Sequence, residues 1–283
     1  MCTDSIARRG RPPSRRLGGL PDRDTLVSRT PMDSLDFGQS PDDYQTQGQA
    51  WNPCRPDILP LLTRSRVVSL EPIYYGSNHC FLATLDGGDA GTSLAVYKPA
   101  RGEYPLYDFP SGTLFKREIG SWIVDHMLGW TLVPPTVESR AKYGAGSLQL
   151  FIESHVRGEI DIVELQRMAL LDLILNNADR KSDHCLLGDG GKLWGIDHGL
   201  TFHVHPKLRT ILWHFAGDPI PPDSLVDLKR LLSCLERVAG ADAAQLRGYI
   251  TTQEWRALVV RVSRLLESGR FPDPRHKPVP YRW

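Results

Sequence analysis

Asn176-Asn177-Ala178-Asp179-Arg180-Lys181-Ser182-Asp183-His184-Cys185-Leu186-Leu187-Gly188, followed by Trp194-Gly195-Ile196-Asp197-His198-Gly199, is the stretch on which the reading of this chain turns. It closes an apolar run (Leu170, Leu171, Leu173, Ile174, Leu175) that predicts a buried helix delivering Asp179 to an interior position. Asn176 and Asn177 break helix propensity and predict the C-terminal cap. A polar loop, a short apolar strand, a turn and a second strand over 192–196 then lead to Asp-x-Gly. Phosphoryl-transfer sites use such a pair of acids, one beside the attacking hydroxyl and one holding the metal on the phosphates. The spacing predicts that Asp179 accepts or orients the acceptor hydroxyl, while Arg180 or Lys181 neutralises charge on the transferred group. His184, five residues past Asp179, falls where such sites place a ligand for a second metal ion, and Asp197 supplies a hard carboxylate ligand. Gly199 is expected to let the backbone turn sharply behind Asp197. The bland alternative for 176–188 is a polar loop laced with salt bridges, and the second acid downstream weighs against it.

The residues upstream read as strands. Segments 66–75, 79–85 and 92–98 alternate or run apolar, with a hairpin loop at 86–91 and Pro99 ending the third. An amphipathic helix is predicted over 111–128, stopped by Gly129, and short strands near 133–139 and 147–152. Helices over 160–176, 224–239 and 252–268 follow, the last with a Thr251-x-x-Glu254 capping box. This is an α+β chain of two lobes: an antiparallel sheet plus one helix (57–153), then a mainly helical lobe (154–283), with a cleft between.

Lys98 ends an apolar strand, where an inward ammonium needs partners. The expected role is to hold the α/β-phosphates of ATP, braced by Glu118 on the following helix, with Glu103 as the weaker rival. Taken alone, a strand lysine is more simply an edge residue in solvent. Gly76-Ser77-Asn78, between the first two strands, could fold over phosphates through its N–H groups, although a plain hairpin turn explains it equally well. A strand near 148–153 is expected to line the base pocket.

Bulk properties bound the alternatives. A net charge of +1 over 283 residues argues against a nucleic-acid binder. Five dispersed cysteines (Cys2, Cys54, Cys80, Cys185, Cys234) without a Cys-x-x-Cys pair read as free thiols in a reducing compartment. No apolar run spans a membrane and no signal peptide is visible, so a cytoplasmic protein is expected. Residues 1–56, rich in Pro, Gly, Arg, Asp and Ser, are expected to be disordered.

Asn-Asn-Ala-Asp-Arg-Lys-Ser-Asp-His and Gly-Ile-Asp-His-Gly-Leu-Thr-Phe resemble the catalytic and metal-binding loops of the phosphatidylinositol 3-/4-kinase-like group. That group lies within the protein-kinase-like superfamily, with the HipA-type bacterial kinases as more distant members. More narrowly, the chain resembles bacterial proteins described as phosphatidylinositol kinase-related, over roughly residues 60–280. The resemblance implies a two-lobed fold, ATP with Mg²⁺ or Mn²⁺, and an unidentified hydroxyl acceptor. It also implies Lys98 on phosphates, Glu118 bracing it, Asp179 catalytic and Asp197 on metal. Two positions depart from the pattern. His184 stands where asparagine is expected, and an imidazole suits Mn²⁺ better than Mg²⁺. Asp197-His198-Gly199 changes the packing residue of an Asp-Phe-Gly-like triplet. These departures keep open a degenerate kinase fold that binds nucleotide, or a partner protein, without turnover. A metal-dependent phosphohydrolase built on Asp183, Asp197, His198, His203 and His205 is a further alternative. No basic amphipathic helix favours a lipid acceptor over a soluble one.

Overall fold

The computed structural model describes residues 50–74, 77–154, 159–237, 240–274 and 276–280. The expectations for residues 1–49 and for Gly76 lie outside the described residues. The order of elements is α1 (Ile58–Arg64), β1 (Arg66–Ile73), β2 (Cys80–Asp86), β3 (Thr92–Pro99), α2 (Leu114–Leu128), β4 (Thr136–Ala141) and β5 (Gly144–Leu150). There follow α3 (Ile162–Leu175), β6 (Cys185–Leu187), β7 (Leu193–Gly195), α4 (Pro222–Arg237), α5 (Ala241–Tyr249) and α6 (Thr252–Ser268).

The five long strands make one antiparallel sheet in the order β1-β2-β3-β5-β4. Because side chains alternate across a strand, Phe81, Ala83, Leu85, Ala95, Tyr97, Leu148 and Leu150 share one face. They bury there against Ile58, Leu61 and Leu62 of α1 and against Trp51. Trp51 also donates Nε1–H to the Ala90 carbonyl at 3.0 Å, and its backbone N–H bonds Ser93 Oγ at 2.9 Å. The folded chain therefore takes in residues 50–56, which their composition had grouped with a disordered tail. One large aromatic, sequestered by a few polar contacts, outweighs the polar residues around it.

The opposite face of β3 carries Leu94, Val96 and Lys98, so the register puts Lys98 on the side away from α1. Its partner across β5 is Ser147, one residue beyond Gly146, where a Cβ would fall 2.4 Å from the Lys98 carbonyl oxygen. Only glycine lets the two strands approach there, and the approach fixes where Lys98 leaves the sheet.

The second core is helical. It joins α2 through Phe115, Ile119 and Ile123 to α3, α4, α5 and α6, and includes Cys185, Leu193 and Phe202. α2 thus packs on both sides, against β4 and β5 of the sheet and against α4 and α5 of the helical lobe. Gly129, at φ 71°, ends it and donates to the Asp125 and His126 carbonyls. α6 starts with the expected Thr251–Glu254 capping box, and α3 is capped by Asp161 at its start and left-handed Asn176 at its end. α1 and α5 were not foreseen; both are short and weakly periodic. The four described cysteines are free thiols. No helix among the described residues is long and apolar enough to cross a membrane.

Candidate active site

The candidate residues converge from four elements. Lys98 Nζ, at the end of β3, hydrogen-bonds Glu118 of α2 and lies 2.9 Å from Asp197 Oδ1. The other oxygen of Glu118 accepts the His198 backbone N–H at 2.9 Å, so one buried carboxylate ties the sheet lysine to the loop after β7. Glu103 does not compete: its Oε1 accepts the Phe115 N–H at 3.0 Å at the start of α2. Burial pushes the Glu118 carboxyl up, opposed by the Lys98 charge beside it. Burial disfavours charge on Lys98 also, but the Asp197 and Glu118 carboxylates win and raise it above the usual lysine range. Asp197, whose side chain is 44% exposed, feels the same opposition: Lys98 and His184 hold it well below the usual carboxylate range.

Asp197 has φ 58°, a left-handed conformation unusual for a non-glycine residue. The turn expected at Gly199 is therefore made by the aspartate itself, and Gly199 is absent from the left-handed positions. Strain of this kind persists where surrounding contacts over-determine it, here the bonds of Asp197 and His198 to Lys98 and Glu118.

His184 Nε2 faces Asp197 Oδ2 at 3.3 Å and Asp183 Oδ1 at 3.9 Å. Asp179 lies on the same side, its Oδ2 held by Lys181 Nζ at 3.0 Å and its N–H by Asn177 Oδ1 at 3.0 Å. Burial raises the Asp179 carboxyl pKa, partly offset by Lys181. Ligand atoms of Asp179, His184 and Asp197 all come within 4.8 Å of one another.

Arg180 goes elsewhere. It is fully buried and pairs with Asp172 of α3, which is equally buried, at 3.1 Å. Its Nη1 donates to the carbonyls of His184 (2.9 Å) and Ile196 (3.1 Å), and its Nη2 to His198 Nε2 at 2.7 Å. The guanidinium therefore turns away from the cleft and links the loops carrying His184 and Asp197. Of the two expected cations, only Lys181 stands beside Asp179. Asp172 also accepts from Asn177 Nδ2 (2.9 Å) and Thr210 Oγ1 (3.0 Å). The sequence signal for this hub was an acid inside an otherwise apolar helix, eight residues before an arginine.

Ser77 is exposed, and Asn78 Oδ1 accepts the Tyr104 N–H at 2.7 Å. His203 and His205 lie apart from the cluster, His203 against Phe109 and the Asp108 carbonyl. His198 is buried, and both burial and Arg180 push its pKa well down. It accepts from Arg180 through Nε2. Among the described residues, the histidine metal cluster expected for a phosphohydrolase does not form.

A five-stranded antiparallel sheet whose lysine meets a helix glutamate, above a helical lobe with a loop–hairpin–loop bearing two acids, defines a protein-kinase-like fold. A crystal structure of the Golgi casein kinase shares it with a TM-score of 0.50 and 13% identity, covering 77% of this chain and 78% of that one. A second, with Mn/ADP bound, also gives 0.50 and 13%, over 78% and 80% of the two chains. No family model matches the chain. The chain belongs to the family of protein Rv2133c of Mycobacterium tuberculosis, to which it is 34% identical over 269 residues, 80% of this chain and 95% of that protein. It is also 30% identical over 136 residues to phosphatidylinositol 4-kinase gamma 4 of Oryza sativa subsp. japonica. That match covers 38% of this chain and 24% of the rice protein.

Proposed function

We propose that this protein is an ATP-dependent phosphotransferase acting on a hydroxyl acceptor. The observation that carries the proposal is the placement of Lys98 between Glu118 and Asp197, with Asp179 and His184 completing one polar cluster. Lys98 holds the nucleotide phosphates, and Glu118 keeps its ammonium aimed. Asp197 and His184 are the residues that would hold a divalent cation: a carboxylate oxygen and an imidazole nitrogen face each other there, and the carboxylate stays ionised beside Lys98. When bound, that cation neutralises phosphate charge. Asp179 orients the acceptor hydroxyl and takes its proton, and burial raises its pKa above the usual carboxylate range, which strengthens it as a base. Lys181 stands where charge develops on the transferred group.

The match to a phosphatidylinositol 4-kinase supports kinase-like chemistry, and the fold shared with a structure described with Mn/ADP bound supports nucleotide with a divalent ion. A protein, small-molecule or phosphoinositide hydroxyl is compatible with these residues. One observation favours nucleotide binding without turnover instead, namely His184 at the second ligand position. The test is Asp179→Asn. Loss of at least about a hundredfold in phosphoryl transfer with nucleotide affinity unchanged is expected for a lost base. Unchanged transfer would remove Asp179 from the chemistry, and ATP bound but never consumed by the wild type would establish the second reading.

A further inference from the structure

We propose that the outer edge of β4 is a docking site for an extended acidic segment of a partner protein, which adds to the sheet as a further strand. Such docking does not depend on phosphoryl transfer.

The order β1-β2-β3-β5-β4 leaves one side of β1 and one side of β4 without a neighbour. Among the described residues no other backbone bonds or bridges to either strand. The two strands border one groove of about 600 Å³, with Arg66 and Val68 on one side and Glu138, Arg140 and Lys142 on the other. Their edges are not equivalent. β1 has a register shift at Val68 and contains Pro72, which has no N–H to donate. Bulges and prolines are devices that keep an edge from pairing. β4 has neither and pairs with β5 residue for residue from Thr136 to Ala141. Its free edge is therefore an uninterrupted strand of six residues, about 20 Å long at ~3.3 Å per residue.

The two faces beside that edge set what pairs there. Val67 and Leu70 of β1 and Val137 and Ala141 of β4 pack against the sheet core on the α1 side. By alternation Arg66, Glu138 and Arg140 lie on the opposite face. A strand added along β4 thus meets apolar side chains with every second residue and charged ones with the residues between. The charge left for it is positive. Glu138 accepts from the Tyr249 hydroxyl of α5 at 3.3 Å, and Arg66 pairs with Asp86 at 2.9 Å. Arg140 and Lys142 are exposed, and among the described residues neither has a carboxylate partner; the Lys142 ammonium lies 5.4 Å from the centre of the Tyr143 ring. A segment that alternates small apolar with acidic residues suits both faces. Main-chain bonds to β4 supply its affinity, and the two cations select its charge.

The test is fluorescence anisotropy of a labelled eight-residue peptide alternating valine with aspartate, titrated with the full chain, together with amide hydrogen exchange. Saturable binding is expected, at least about tenfold tighter than for the same peptide with lysine in place of aspartate. Methylating every peptide nitrogen removes the ladder donors and is expected to abolish binding. Arg140→Glu combined with Lys142→Glu, at two exposed positions outside the core, is expected to weaken it at least about tenfold. The amides of residues 136–142 should exchange more slowly once peptide is added. Absence of saturable binding, equal affinity for the lysine peptide, undiminished binding of the methylated peptide, or unchanged affinity in the double variant overturns the proposal. So does protection of those amides before peptide is added. Protection independent of protein concentration would assign the edge to another segment of this chain, and protection that grows with concentration would assign it to a second copy.

Discussion

Lys98, Asp179, His184 and Asp197, which the fold brings together with Glu118, stand out in the sequence as polar groups at the edge of an apolar run. What the sequence could not convey was direction. Arg180 and Lys181 are adjacent cations, yet one points into the protein and the other toward Asp179. Neighbours in a loop share no face rule comparable to the alternation of a strand. Two consequences are testable at this scale. Lys98→Met should abolish metal-dependent nucleotide binding while leaving the fold intact, as read by titration with a fluorescent nucleotide and by circular dichroism. Unchanged affinity would remove Lys98 from the phosphate site. The second concerns Asp125, which is 1% exposed and accepts the Leu132 and Val133 N–H groups through Oδ2, while its Oδ1 has no partner. Burial pushes this carboxyl up to about 7. The folded protein then keeps a proton that the unfolded chain has released between about pH 4 and pH 7. Stability falls as pH rises through that window, by up to about 1.4 kcal/mol per pH unit. Asp125→Asn, which keeps one acceptor and fills the other position with a donor, should flatten that slope in urea titrations across pH 5–8. A slope unchanged from wild type would contradict a raised Asp125.

Among the elements, those with a strong period and a clear stop were readable: α2 ending at Gly129, α6 with its capping box, and the strands β2 and β3. The second contact of α2 was not. Sequence order assigned it to the sheet lobe, where it packs against β4 and β5, but its buried face, from Phe115 to Leu128, also enters the helical core. Polar contacts reinforce that placement. Arg117 pairs with Glu254 of α6, with both side chains buried, and donates to the Thr201 carbonyl at 2.5 Å. Such a partner, 137 residues distant, leaves no local trace. Glu118 is thus held on a helix anchored to the lobe that carries Asp179 and Asp197. Breaking a buried pair costs about 3–5 kcal/mol because it strands a charge. Asp172→Ala should therefore lower stability on that scale in chemical denaturation, since it strips Arg180 of its carboxylate and Asn177 and Thr210 of their acceptor. A loss below about 1 kcal/mol, the size of an exposed pair, would show that this hub is not structural.

In the whole molecule, the sheet, the helical core and the hairpin β6–β7 meet where Lys98, Asp179, His184 and Asp197 converge. The α+β order and the two lobes were visible from the switch between period-two and helical patterns. The inclusion of residues 50–56 was not, because it depends on Trp51 finding Ala90 and Ser93 some forty residues on. If nucleotide and cation bind this assembly, they stabilise it by mass action. At a hundredfold excess over Kd the gain is about 2.7 kcal/mol, equivalent to a rise of roughly 5–10 °C in Tm for a chain of this size. Neither ligand alone should match the pair in a thermal melt. The most direct test of the central claim is transfer of label from γ-labelled ATP, to the protein itself or to supplied acceptors, with Mg²⁺ and Mn²⁺ in parallel. Wild type should transfer label or hydrolyse ATP with at least one ion, and Asp197→Ala should do neither. Absence of both transfer and hydrolysis by wild type with either ion, or full activity in Asp197→Ala, would contradict a phosphotransferase built on this site.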